Sequence, residues 1–369
     1  MRAIKHVAFI QVVLIALLAF GGCAGEGGGP GQDGLESAGR SEDDSTVTTS
    51  PAEPSEDSPF GFHPAGVSRK DYPDSGFKDA RNIGVGWARE GVYAFWFLIQ
   101  PDLEKQEYDF SRHDSQWSAV PENIRILANI APQAGRRDEG RLKPGSWFPV
   151  DEAKYRAFVT ATVERYDGDG ASDMPGLKNP ITYWQVGNEP DQSRRSDFAV
   201  LQRLTYEAIK EACPGCQVLI GGVPGGPRNY LKNFDEHFAP ILAELGGCCV
   251  DIFDFHWYGN ATGDYRLRDT ATGEDVVEHI RATLAANSFP SDMPLWITEM
   301  GSYSGDPTGG QPQENPSQTE RQQASDYFKR FMYSLSHGTQ KVFPAFGLME
   351  GFQHNHGYLY NTGLNYNGE

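Results

Sequence analysis

The chain has 369 residues, 38% of them hydrophobic, and its 50 acidic against 32 basic side chains leave a net charge of -18. That is enough length and apolar content for one large or two ordinary folded domains, and the charge repels a phosphate backbone, so a disordered chain and a nucleic-acid partner are both excluded. Only one hydrophobic stretch is long enough to engage a membrane, and it lies at the extreme N-terminus, which excludes a polytopic membrane protein.

Residues 1–23 open with Arg2 and Lys5, continue as a largely apolar run from Val7 to Phe20 and close with Gly21, Gly22 and Cys23. This is the pattern of an export signal. The small residues before a cysteine resemble a bacterial lipobox, which implies a lipid on Cys23 and a place on the cell envelope or surface; Phe20 departs from the leucine usual three positions before that cysteine. Residues 24–58 turn to Gly, Ser, Thr, Pro, Asp and Glu, with Leu35 and Val47 almost the only larger apolar side chains. Too little surface is available there to offset ordering entropy, so the segment is expected to be a disordered acidic tether, and the folded domain is expected over 59–369.

Within that domain eight short apolar runs read as strands: Phe60 to His63, Gly86 to Glu90, Ile124 to Ile130, Ile181 to Gly187, Gln217 to Gly222, Ile252 to His256, Leu295 to Glu299 and Lys341 to Phe346. Helical patterns lie between them, at Glu152 to Tyr166, Phe198 to Ala212, Tyr230 to Leu245, Asp275 to Ala286 and Gln318 to Ser336. Eight alternations in about 300 residues point to an α/β fold of the (β/α)8 TIM-barrel kind. Beyond the eighth run, Gly357 to Glu369 has no amphipathic period, so the last barrel helix is expected to be missing. No G-x-G-x-x-G follows the first run and no P-loop is present, which leaves nucleotide folds without their usual support.

In such a barrel the chemistry gathers at the C-terminal ends of the strands. The fourth run ends in Asn188-Glu189-Pro190 and the seventh in Glu299-Met300-Gly301. Strands four and seven face each other across a barrel, so two glutamates 110 residues apart in sequence converge on one hollow. Alone, each would read as a surface residue of a strand-to-helix turn; together they are the pair that cleavage of a glycosidic bond needs, one protonated and one ionised.

The runs Trp184-Gln-Val-Gly-Asn-Glu-Pro190 and Trp296-Ile-Thr-Glu-Met-Gly301 resemble the acid/base and nucleophile motifs of the clan A glycoside hydrolases, and the resemblance extends over the domain from Phe60 onward. It implies a retaining glycosidase acting on a poly- or oligosaccharide through a covalent glycosyl-enzyme, with Glu189 as acid/base, Glu299 as nucleophile and no metal or organic cofactor. It further implies that Arg89 keeps Glu299 ionised, that Asn188 bonds the sugar 2-hydroxyl, and that Tyr258 of the His256-Trp-Tyr258 run orients the nucleophile. Trp96, in the loop after the second strand, is expected against a sugar ring, with Trp117, Trp147 and Trp257 as further platforms and His63 near a distal hydroxyl. The eighth run lacks the tryptophan that many clan members place beneath the sugar, so Phe346 is the expected substitute and Glu350 an added acid at the same edge. Clan members differ in sugar and linkage, and the loops Gln133 to Pro149 and Tyr303 to Pro316 are expected to frame an extended cleft.

Apart from Cys23 the cysteines are Cys213, Cys216, Cys248 and Cys249, after the fourth and fifth helices, so one or two disulfides are expected between neighbouring helix ends at the bottom of the barrel. A four-thiolate zinc site is the alternative. For the domain as a whole, the alternatives to an enzyme of this clan are a carbohydrate-binding barrel without turnover and a lyase or isomerase using the same carboxylates.

Overall fold

The structure, a computed structural model, describes residues 58–63, 77, 80–81, 83–89, 93–132, 136–138, 141–143, 149–190, 195–226, 228–259, 265–305 and 317–345. The chain divides into two units, 1–48 and 49–369, the first of which lies wholly outside the described residues, as do the expected signal and nearly all of the expected tether. Phe346, Glu350 and everything at the position of the last barrel helix also lie outside them.

Eight strands follow the expected order: β1 Gly61–Phe62, β2 Trp87–Arg89, β3 Arg125–Ala131, β4 Tyr183–Val186, β5 Gln217–Ile220, β6 Phe253–Tyr258, β7 Leu295–Gly301 and β8 Thr339–Pro344. β1 to β5 pair in parallel in that order, and β6, β7 and β8 form a second parallel run. Single parallel bridges join the two runs at both seams: Leu219 to Ile252 and Val223 to Phe255 between β5 and β6, Phe60 to Val342 and His63 to Ala345 between β8 and β1. The circuit of a TIM barrel is thereby complete.

The helices are α1 Trp96–Ile99, α2 Ser111–Trp117, α3 Glu152–Tyr166, α4 Arg195–Ala212, α5 Tyr230–His237, α6 Ala239–Leu245, α7 Val276–Ala286 and α8 Glu320–Ser336. Their starts are written in the sequence. Asp151 accepts from Lys154 N, Asp275 from Val277 N and Glu278 N, and Thr319 with Gln322 closes a capping box. The single helix expected over Tyr230 to Leu245 is instead two, because Pro240 at the start of α6 cannot donate back into α5 and is tolerated only in a first turn. Inside the expected loop Gln133 to Pro149, Arg136–Asp138 and Arg141–Lys143 form an antiparallel hairpin.

Period-two alternation divides each strand. Outward residues such as Ile126, Ile130, Trp184, Val186, Phe253 and Ile297 share one buried cluster with helix residues including Tyr155, Val159, Ile209 and Ile280. Inward residues Trp87, Leu127, Leu219, Ile252, Trp296 and Phe343, with Tyr183 against them, form a separate apolar layer that fills the lower barrel. Trp87 meets Tyr183 and Trp296 edge-on at centroid distances of 4.8 and 5.1 Å, and Phe343 lies near-parallel to Trp296 at 6.1 Å. Two residues further along β2, β3, β4, β6 and β7 the inward side chains become polar.

The disulfides differ from expectation. Cys213 bonds Cys216 and Cys248 bonds its neighbour Cys249, so each pair closes on itself and none ties one helix end to the next. The turn after α4 accounts for the first: Cys216 N donates to Cys213 O at 3.0 Å, and thiols already that close in sequence outcompete distant ones for closure.

Candidate active site

Above the apolar layer, the inward positions are His63 after β1, Arg89 in β2, Asn129 in β3, Gln185 in β4, Asp254, His256 and Tyr258 in β6, and Thr298 and Glu299 in β7. Arg89, Asn129, Gln185, Asp254, His256 and Thr298 are all at most 1% exposed, and Glu299 is 4% exposed. Polar groups at that depth persist only when they satisfy one another.

Arg89 does most of this. Its NH1 donates to Glu299 Oε1 at 2.8 Å, its Nε to Gln185 Oε1 at 2.7 Å and its NH2 to Asn188 Oδ1 at 2.5 Å. Tyr258 donates its hydroxyl to Glu299 Oε2 at 2.5 Å. His63 donates Nδ1–H to the Arg89 carbonyl at 2.8 Å, which turns Nε2 toward Glu299 Oε1, 3.6 Å away. Burial and the Arg89 charge push His63 down to about 3, so this imidazole is neutral.

Thr298 and Glu299 are consecutive, yet both reach the barrel interior, which strict alternation forbids. The pairing of β7 slips between Ile297 and Glu299 against β6, and between Ile297 and Met300 against β8. This irregularity re-aims the Glu299 side chain inward and returns Met300 to the outer cluster. Glu189 is placed by a different device. Gly187 and Glu189 both have positive φ, 69° and 44°, and for a residue with a Cβ that is a strained conformation held by its surroundings. Gly222, after β5, makes room for the third element: a Cβ there would stand 2.1 Å from His256 Nε2.

Glu299 is therefore held as an anion. Burial alone would push its carboxyl up, but the charges of His256 and Arg89, with the Tyr258 hydrogen bond, hold it well below the ordinary carboxylate range. His256 connects the two glutamates. Its Nδ1 lies 2.7 Å from Glu189 Oε1 and 3.6 Å from Glu299 Oε2. Behind it, Thr298 Oγ1 donates to Asp254 Oδ2 at 2.8 Å, and a hydroxyl has one hydrogen to give, so the 3.1 Å contact between Thr298 Oγ1 and His256 Nε2 is filled by Nε2–H. With Nε2 so committed, the short contact between Nδ1 and Glu189 contains one further proton, on the imidazole or on the carboxyl. Burial opposes the charged ring, but the two glutamates outweigh it and raise the pKa of His256. Glu189 is the open member, its side chain 31% exposed against 5% for Glu299.

One acceptor atom each of Glu189, His256 and Glu299 lie within 4.8 Å of one another, a spacing that also suits a metal ion. The guanidinium fixed on Glu299 makes this a poor cage for a cation, because a dication there would face a buried positive charge.

Arg89, Asn188, Glu189, His256, Tyr258 and Glu299 thus lie together. Trp96 does not join them, and the expectation that it lies against a sugar is corrected. It is fully buried, between Tyr155 and Phe158 at 5.4 and 6.2 Å, and its Nε1–H donates to Gln100. Trp117 and Trp257 are buried likewise, Trp257 because it takes an outward position on β6, and Trp147 lies outside the described residues. Asn129, Gln185, Asp254 and Thr298 have no role in the expectations from sequence, although Gln185 and Thr298 stand inside the two glutamate motifs. Their signal was available: each is a polar residue inside an otherwise apolar run, in phase with the inward positions.

The sequence profile described as "Glycosyl hydrolase catalytic core" matches residues 163–351, just over half of the chain and inclusive of both glutamates. Among solved structures, a family 39 glycoside hydrolase from Bacteroides cellulosilyticus WH2 superposes with a TM-score of 0.58 at 18% identity, over 84% of this chain and 60% of that one. A β-xylosidase from Caulobacter crescentus CB15 does so with a TM-score of 0.52 at 17% identity, over 78% and 60%. A glucosidase from Croceicoccus marinus follows with a TM-score of 0.51 at 17% identity, over 71% and 51%. At these identities the likeness is one of fold, and the chain spans half to three-fifths of the length of these structures. No curated protein matches the chain.

Proposed function

The chain belongs to the glycosyl hydrolase catalytic core family, and on that premise we propose that it is a retaining glycoside hydrolase in which Glu299 attacks and Glu189 moves the proton. The observation that carries this is the pairing of two carboxylates in one hollow with oxygens within 4.8 Å and unlike surroundings. That separation suits direct attack by one carboxylate; inverting enzymes keep theirs about 6.5–9.5 Å apart to admit a water. Glu299, ionised and held by Arg89 and Tyr258, adds to the anomeric carbon as the glycosidic C–O bond breaks, and the leaving oxygen takes a proton from Glu189. Water then gives its proton back to Glu189, its oxygen bonds to the anomeric carbon, and the bond to Glu299 breaks. The exposure of Glu189 suits a group that must meet solvent water, and its contact with His256 stores a proton beside it. Asn188, with Oδ1 committed to Arg89, keeps Nδ2 as a donor for the sugar 2-hydroxyl.

The substrate is a carbohydrate, and the test is a trapping experiment. Incubation with activated 2-deoxy-2-fluoro glycosides is expected to leave one fluorosugar on the peptide containing Glu299, read by mass spectrometry, and the released sugar is expected to keep its anomeric configuration by NMR. A label on another residue, or an inverted product, overturns the assignment. For location, we propose an exported protein held to the cell envelope by a lipid on Cys23, as the run of residues 1–23 and the two oxidised cysteine pairs support. The mass of the mature N-terminal peptide decides it.

A further inference from the structure

Beyond β2 the chain alternates. Ala94 and Trp96 are buried, whereas the three aromatic residues beside them, Tyr93, Phe95 and Phe97, are partly buried, with Phe95 and Phe97 packed on the core along one side. Ala94 and Phe95 pair with Ile130 and Ala131, the last residues of β3, which puts this row at the rim of the barrel mouth. Its inner end lies beside two residues that face Glu299: the Tyr93 ring is near-parallel to His63 at 6.4 Å, and the Arg89 guanidinium stands 5.4 Å from its centroid. From there the rings run outward in contact. Phe95 meets Tyr93 edge-on at 5.5 Å, Phe97 lies within 20° of parallel to Phe95 at 5.6 Å, and Leu98, 39% exposed, follows. A solvated rim is ordinarily polar. A continuous line of partly exposed rings that begins beside Arg89 and His63 has the chemistry of a ligand surface, and the apolar C–H faces of pyranose rings are what such a surface takes next to a glycosidase centre.

We propose that Tyr93, Phe95 and Phe97 form a stacking platform for sugar units beyond the one at the cleaved bond, so that the substrate is a chain of pyranoses and this loop reads its length. The proposal rests on the glycosidase reading of the site. Of the tryptophans expected as platforms, Trp96, Trp117 and Trp257 are buried, and among the described residues the rings at this rim are two phenylalanines and a tyrosine.

The test uses the full chain with xylo-, manno- and cello-oligosaccharides of two to six units and the matching aryl monoglycosides. For the sugar that is cleaved, kcat/KM is expected to rise from the disaccharide to the tetrasaccharide. Phe95→Ala and Phe97→Ala are each expected to lower the ratio of tetrasaccharide to aryl-glycoside kcat/KM about fivefold, chiefly through KM, with Phe97→Tyr restoring it. Hydrolysis of disaccharides as fast as of longer chains, or variants with an unchanged ratio, overturns the platform while leaving the glycosidase reading intact. Absence of hydrolysis from every substrate instead fails the glycosidase reading. The platform is then judged by retardation in gels containing xylan, mannan or soluble cellulose: retention that weakens in Phe95→Ala and Phe97→Ala upholds it, and no retention, or retention indifferent to both, ends it.

Discussion

Two layers inside the same barrel, two residues apart along the same strands, solve opposite problems. The lower one, Trp87, Leu127, Tyr183, Leu219, Ile252, Trp296 and Phe343, gains from being taken out of water. The upper one, Arg89, Asn129, Gln185, Asp254, His256 and Glu299, loses by it and persists because each group is tied to the next. The pleat makes this possible, since the same alternation that delivers Trp87 and Tyr183 to the interior delivers Arg89 and Gln185 one step higher. The lower layer resembles any apolar core and tolerates similar volumes; the upper layer is specific in every hydrogen bond. Stability and chemistry are therefore separable by substitution, and the separation can be attacked from either side.

The largest effect is expected in the upper layer. Glu299→Gln keeps volume but exchanges one of two acceptor oxygens for a donor and removes the nucleophile, so kcat on an aryl glycoside of the cleaved sugar should fall by about 10⁴ to 10⁶-fold. Its stability to urea should fall too, because the Arg89 charge is left buried without its anion, but by far less than activity. A variant that unfolds in proportion to its lost activity would merge the two layers into one. The mirror experiment is Trp296→Ala in the lower layer, where a large ring in contact with Trp87, Tyr183 and Phe343 leaves a void. The expected cost is about 3–5 kcal/mol of unfolding free energy, read by urea denaturation, with the pH profile of the surviving folded enzyme unchanged.

A third experiment exposes the cost of the upper layer directly. Burial pushes Asp254 up to about 6, and His256 and Arg89 only partly offset it. A carboxyl raised above its unfolded value contributes stability at low pH that is lost as pH rises through its folded value. Between pH 4 and 8 the parent should therefore lose on the order of 2 kcal/mol more than Asp254→Asn does. His256, raised in part by Asp254, slopes the same way, so the difference between the two proteins reports Asp254 together with its effect on His256. Equal slopes would mean that Asp254 is ionised throughout and fully compensated by its neighbours.

Much of this division was legible in the sequence. All eight strands, and the gathering of Arg89, Asn188, Glu189, His256, Tyr258 and Glu299 at one end of them, follow from apolar periods and strand-end motifs. What was not legible depends on closure or on local slips. No pattern announces that the pairing slips around Thr298 and lets Thr298 and Glu299 both face inward. Nor does any pattern say that Trp96 and Trp257 face the helices: ring size attracts attention in a sequence, but in the fold the largest rings are the ones most useful to bury. The split at Pro240 was visible as a residue and overlooked as a break.

The smallest effect tests whether charge itself, rather than position, separates the layers. The lower layer has its own cations: Lys341 Nζ stands 4.8 Å from the Trp87 ring centroid and 5.7 Å from that of Trp296, and the Arg125 guanidinium 5.6 Å from Trp87. Arg89 also faces an aromatic ring, but its guanidinium is fully buried and bound to an anion, whereas Lys341 is half-buried and donates to the Ser58 carbonyl at 3.0 Å. A cation over an indole face contributes about 0.5–1 kcal/mol where water still reaches it. Lys341→Met keeps the stem over both rings and removes the charge together with the hydrogen bond to Ser58, so unfolding free energy should drop by about 1–2 kcal/mol, with kcat and the pH profile unmoved. A shift in the acid limb of that profile would mean that the Lys341 charge is felt at Glu299 through the aromatic layer, and the floor would then be part of the electrostatics of the site it supports.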